Sequence, residues 1–134
     1  MGDRATFVFE QSNGFEENNG DAIFLYGHWA GEGMMANLAT AIEKASPRWS
    51  DESYATRIAI SQIIGNQWDQ ELSWGISTYF GDSEHSVPVV NWTNQTVRLL
   101  PHSWATKFDL NADPKFVMSF ESFIKKFSKS LTTV

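Results

Sequence analysis

Polar and apolar residues alternate from Arg4 to Glu10, with Ala5, Phe7 and Phe9 on one side and Arg4, Thr6, Val8 and Glu10 on the other. Period two predicts a half-buried strand. Ala22 to Trp29 is apolar on both faces, which predicts a second strand lying centrally in the sheet and antiparallel to the first. Between them, Gln11 to Asp21 holds two Asn-Gly steps and three acids, the signature of a long solvated turn. The period then changes. Met34, Leu38, Ala41, Ile42 and Ala45 recur at helical spacing until Ser46-Pro47 stops them. A second helix is predicted from an N-cap at Ser50, with Asp51 and Glu52 in its first turn, to the stop at Gly65-Asn66. Tyr54, Ile58, Ile60, Ile63 and Ile64 give it a broad apolar arc, so it is expected to be the best-buried helix.

Alternation returns at Trp74 to Phe80, followed by a turn over Gly81 to Ser86. Val87 to Trp92 and Thr96 to Leu100 predict a hairpin around Thr93-Asn94-Gln95. Pro101 to Ala112 reads as irregular. Asp113-Pro114 pairs an N-cap residue with a proline at the first helical position, and Phe116, Phe120, Phe123, Ile124 and Phe127 form a stripe behind it. The last helix is therefore expected to start there and to fray after Lys129. The element order is ββααβββα. Hairpins without βαβ crossovers predict an α+β fold, an antiparallel sheet of about five strands with three helices on one face, with residues 1–134 as a single domain.

Composition narrows the chemistry. The chain of 134 residues has no cysteine, so disulfides, thiolate metal sites and a cysteine nucleophile are excluded. Ten Phe and six Trp supply a core. No apolar run is long enough for a membrane span, and no secretory leader precedes the first strand, so a cytoplasmic protein is expected. Net charge is −6, made of −8 over residues 1–100 and +2 over residues 101–134. An acidic body repels a phosphate backbone, which argues against nucleic acid as partner. The lysines near the C-terminus read as the solvated face of the last helix.

The candidate site is the junction Gly27-His28-Trp29-Ala30-Gly31-Glu32-Gly33. A strand ending in a polar aromatic pair before a glycine-loosened helix start offers unpaired N–H groups and the positive end of a helix dipole. His28 would donate to an anion or accept a proton; otherwise it is a histidine bonded to backbone and Trp29 a core residue. The two share a pocket only if the strand has already ended, because neighbouring strand residues face opposite ways. Arg57 is an anion clamp, or else it snorkels outward or pairs with Asp3, Glu52 or Glu71. Six tryptophans exceed the needs of one small core. Trp49, Trp68 and Trp104 fall in loops or helix ends, where they either stack on a ligand or cover the ends of the sheet. The ligand-binding candidates are Tyr26, His28, Trp29, Gly31, Gly33, Arg57 and Trp74. The loop lacks the Lys-Ser/Thr of a Walker motif, and Glu32 opposes an anion. His28, His85 and His102 are scattered, and no GxSxG elbow exists, so no metal ligand, cofactor or catalytic residue is assigned.

Met1-Gly2-Asp3-Arg4-Ala5, the run Leu25-Tyr26-Gly27-His28-Trp29 and the later Trp74-Gly75-Ile76-Ser77 occur in the same order in a family that this chain resembles over about its first hundred residues. That family consists of small, largely uncharacterised proteins of bacteriophages and of bacteria that carry them. The resemblance implies a setting, the cytoplasm of an infected bacterium, and no particular activity. Three functions remain open. The first is capture of a small anionic ligand such as a signalling nucleotide, to counter host defence. The second is inhibition of a host enzyme through an acidic and aromatic surface. The third is a small hydrolase with His28 as general base. Self-association into a homo-oligomer is compatible with each, since open sheet edges and exposed Trp invite it.

Overall fold

The computed structural model describes residues 2–12, 21–102 and 108–128. Six strands form one sheet: β1 (Ala5–Glu10), β2 (Ala22–Gly27), β3 (Trp74–Ser77), β4 (Val87–Asn91), β5 (Thr96–Leu100) and β6 (Phe116–Ser119), in the spatial order β3-β2-β1-β4-β5-β6. Three helices, α1 (Met34–Lys44), α2 (Glu52–Ile64) and α3 (Phe120–Phe127), pack on one face. The α+β class is as expected, but the sheet has six strands and is mixed. β1 and β4 run parallel, Val8 beside Val89, whereas every other neighbouring pair is antiparallel.

The sixth strand corrects the reading of the C-terminal segment. Asp113-Pro114 does not open a helix. Phe116 to Ser119 instead pairs with β5, and α3 starts at Phe120, where the Ser119 hydroxyl accepts the Ser122 N–H at 3.1 Å. Phe116 and Phe120, four residues apart, suit both periods at once, whereas Phe116 and Met118 suit only a strand, and the open edge of β5 decides between them.

The helix face buries Phe7, Phe9, Leu25, Val90, Trp92 and Val97 beneath α1, which packs between α2 and α3. The central helix is thus α1 rather than the isoleucine-rich α2. Asp51, one residue later than expected, caps α2 by accepting from Tyr54 N–H. Trp92 stacks on Phe9 and donates through Nε1 to Thr56 Oγ1 at 2.9 Å, giving a buried indole its partner on α2.

The opposite face is covered too, so β1 is buried throughout and not on one side only. From the outer strand β3 the chain must reach β4, and residues 78–86 cross the second face to do so. Phe80 packs edge-on against Phe24 of β2, Thr6 Oγ1 of β1 donates to Asp82 O, and Glu84 N–H donates to Arg4 O at 2.8 Å. Phe108 stacks on Phe80 with centroids 4.4 Å apart, and Leu110 closes over Val8, Val87, Val89 and Leu100. Beneath Leu110, Arg98 forms a close ion pair with the buried Glu10 and donates to Leu110 O at 3.0 Å. Among the described residues no helix is long and apolar enough to cross a membrane. Trp104, most of the loop from Gln11 to Asp21 and the chain after Ser128 lie outside the described residues.

Candidate functional site

β2 ends at Gly27, one residue before His28, and this short strand length shapes the site. Because the strand has ended, His28 and Trp29 escape the alternation that would separate them. Their rings meet edge to face at 4.8 Å and line one hollow of about 480 Å³ with Tyr26, Leu72, Trp74 and Glu71. His28 is held by its backbone on both sides. Its N–H donates to Ser73 O at 2.8 Å, and its carbonyl accepts from Asp3 N–H at 2.9 Å. Ser73 adopts φ 90°, a conformation costly for a residue with a Cβ, which turns the chain into β3 beside the hollow.

Tyr26 belongs to two hollows. Its hydroxyl lies 3.0 Å from His28 Nδ1, while its ring faces a second cavity of about 290 Å³ with Thr6, Phe24, Ser77, Tyr79 and Asp82. Burial pushes the Tyr26 phenol up from its ordinary range. The guanidinium of Arg4 opposes this, and the carboxylates of Asp82 and Glu84 add to it. Gly75, paired with Tyr26 across the β2–β3 ladder, borders both cavities, and a Cβ placed there would meet nothing within 4 Å. Together the two hollows form an aromatic groove along the edge of the sheet.

Four of the seven residues expected from the sequence, Tyr26, His28, Trp29 and Trp74, therefore line one surface. The other three do not join them. Gly31 is buried against the N-terminal segment: its N–H donates to Asp3 O at 2.9 Å, and a Cβ would fall 2.2 Å from His85 Nε2 and 2.3 Å from Asp3 Oδ1. The side chains of Asp3 and His85 leave no room for a Cβ at this glycine. Gly33, with φ 72°, is the exposed N-cap residue of α1. Arg57 stands on the exposed side of α2, lines neither hollow and makes no ion pair among the described residues. Of the tryptophans placed in loops, Trp49 is half-buried against Phe120 and donates to Ile42 O at 2.8 Å, whereas Trp68 is exposed.

Sequence reasoning missed Leu72, Tyr79 and Thr6. Leu72 and Tyr79 are 76% and 70% exposed, beside Trp29 at 62%. A leucine and a tyrosine just outside a strand carry no periodic signal. Only the fold shows that they flank the same groove.

A polar clamp fixes the groove's inner wall. Arg4 pairs with Asp82 at 3.1 Å and Glu84 at 3.3 Å, and its N–H donates to Glu84 Oε1 at 2.8 Å. That backbone N–H holds the Glu84 carboxyl below the usual carboxylate range, with the guanidinium adding to it. Asp3 meets His85 Nε2 at 2.6 Å, and this hydrogen bond lowers the Asp3 carboxyl likewise. Among the described residues no three His, Asp or Glu side chains are grouped to hold a metal ion. A separate hollow of about 290 Å³ between Trp49, Glu52, Trp92 and Gln95 sits at the far end of β4, but its carboxylate is already taken by the Ser12 N–H at 2.8 Å. No family model, curated protein or solved structure matches the chain.

Proposed function

We propose that the chain is a binding protein that acts by occupancy, and that its partner is a protein docked on the aromatic groove beside β3. The observation that supports this is the gathering of Trp29, Leu72 and Tyr79, all mostly exposed, around cavities that hold Tyr26 and Trp74. Large apolar side chains clustered on an otherwise acidic surface are what a partner's anchors bury.

The same geometry weighs against a small anionic ligand such as a signalling nucleotide. Glu71 stands in one hollow and Asp82 in the other. Arg4 is engaged by Asp82 and Glu84, Arg57 lies elsewhere, and the Gly31 amide is already bonded. Hydrolysis with His28 as base has little room. Nδ1 faces the Tyr26 hydroxyl, and a Cβ on Gly2 would come within 2.5 Å of Nε2, so the segment before β1 crowds that nitrogen. The resemblance to a phage family would place the partner in a bacterial host and make inhibition of a host enzyme the natural role.

Affinity capture from bacterial lysate tests the reading, run in parallel on the wild type and on a Trp29→Ala/Leu72→Ser double variant. A partner retained in stoichiometric amount by the wild type and lost by the variant is the expected result. A nucleotide that raises the melting temperature of the wild type but not of the variant would overturn it in favour of the anion reading. Equal capture by both proteins would remove the groove from the function.

A further inference from the structure

β3 is an edge strand, and among the described residues only β2 pairs with it. Unpaired N–H and C=O groups on such an edge are a template for another strand, and proteins usually blunt them with lysine or proline. At the opposite edge Pro114-Lys115 immediately precedes β6, and Lys125 and Lys126 follow on α3. Among the described residues β3 has no such guard. From Ile58 to Val87 the chain contains neither a lysine, an arginine nor a proline, while it contains Asp69, Glu71, Asp82 and Glu84.

The two faces of this edge are both hollowed. Gly75 and Ser77 lie opposite Tyr26 and Phe24 and so face the cavities already described. Trp74 and Ile76 lie opposite Gly27 and Leu25, toward the helices, where a third cavity of about 150 Å³ opens between Ile64, Trp68 and Ile76; at the strand edge Trp74 also borders the larger outer hollow and Ile76 the smaller one. Gly75 borders all three cavities. An added strand sends successive side chains to opposite faces, so its alternate residues would enter the outer pair and the inner one in turn. Glu71 and Asp82 in the outer pair, with Asp69 exposed nearby in sequence, set the charge of what enters.

From this juxtaposition we infer that the outer edge of β3 is a strand-addition site for an extended segment of another protein, one in which alternate apolar residues are flanked by lysine or arginine. The inference rests on the reading of the groove as a protein-binding surface and specifies how the partner is held. Main-chain pairing along β3 supplies affinity, and the cavities on both faces read the side chains. A second copy of the chain is disfavoured as occupant, because two β3 edges would bring the same acids together.

A display library of nine-residue peptides selected on the wild-type protein supplies the probe. Expected sequences alternate apolar residues and carry Lys or Arg, and their binding weakens as salt rises. Binding should fall at least tenfold in Gly75→Val, whose Cβ meets nothing within 4 Å, and an unchanged melting temperature of the variant is the control that the fold is intact. The decisive step methylates alternate backbone nitrogens of a selected peptide, in two complementary sets. Successive N–H groups of a strand point to opposite sides, so one set should lose tenfold or more and the other should bind like the parent.

Equal affinity of the two sets would overturn strand addition, and the groove reading would survive if capture of the lysate partner still needs Trp29 and Leu72. Enrichment of acidic peptides, or of none above the Gly75→Val control, would overturn it as well. A wild-type dimer in sedimentation that Gly75→Val dissociates would assign the edge to a second copy and refute the inference.

Discussion

Two glycines of this chain look alike in the sequence and differ in physical duty. Gly31 is where the N-terminal segment crosses the β2–α1 turn, and a methyl group there collides with Asp3 and His85. Gly31→Ala is therefore expected to cost about 1–3 kcal/mol, measured by urea unfolding, through displacement of the clamp rather than loss of a ligand contact. Gly75→Ala meets nothing and should stay within about 0.5 kcal/mol of the wild type in the same assay. Thr56 is a third position whose role is hidden in the sequence. Its hydroxyl accepts from Trp92 Nε1 at 2.9 Å and from Gln11 Nε2 at 3.1 Å. Thr56→Val keeps the shape but strands the buried indole N–H, with an expected loss of about 1–3 kcal/mol; unchanged stability would mean that water replaces the bond.

The segment before β1 behaves as an element without regular structure, pinned by backbone bonds to His28 and Gly31 and by the side chains of Glu84 and His85. Asp3 and Glu84 both titrate below their ordinary values, 3.8 and 4.5, when folded. A depressed folded pKa contributes stability that is present above the unfolded value and is lost as pH falls through the folded one. The clamp should thus hold at neutral pH and release below about pH 4. Exchange of the Arg4 and Gly31 amide protons, bonded to Glu84 and Asp3, should accelerate there before the sheet unfolds. The regular elements show what sequence can and cannot say. β1, β2, the helix from Met34 and the β4–β5 hairpin were legible because each is stabilised by its own period or turn. β6 was not, because Asp113-Pro114 is a good local helix start and the phenylalanine stripe runs through both elements. Only the vacant edge of β5, a tertiary fact, assigns it. At the site, Tyr26, His28 and Trp29 were legible because they adjoin in sequence. Leu72 and Tyr79 arrive beside them through the course of β3, which no local pattern specifies.

At the scale of the molecule, charge and sheet edges set how the surface meets other macromolecules. An acidic body with one basic-flanked edge at β6 and, among the described residues, one unguarded edge at β3 is polar in the sense of having two different ends. The joint between β1 and β4 has a further effect. These innermost neighbours, Val8 and Val89, are about eighty residues apart along the chain. Long-range pairing of this kind slows folding, and refolding is expected in milliseconds to seconds rather than microseconds, as stopped-flow tryptophan fluorescence would record. A ribosome making this protein must therefore have released β4 before the centre of the sheet can close. Until then the edge of β1 that β4 will cover stays open, with Val8 and Phe9 still waiting for Val89 and Val90, and such an edge is what a chaperone at the tunnel exit would shield.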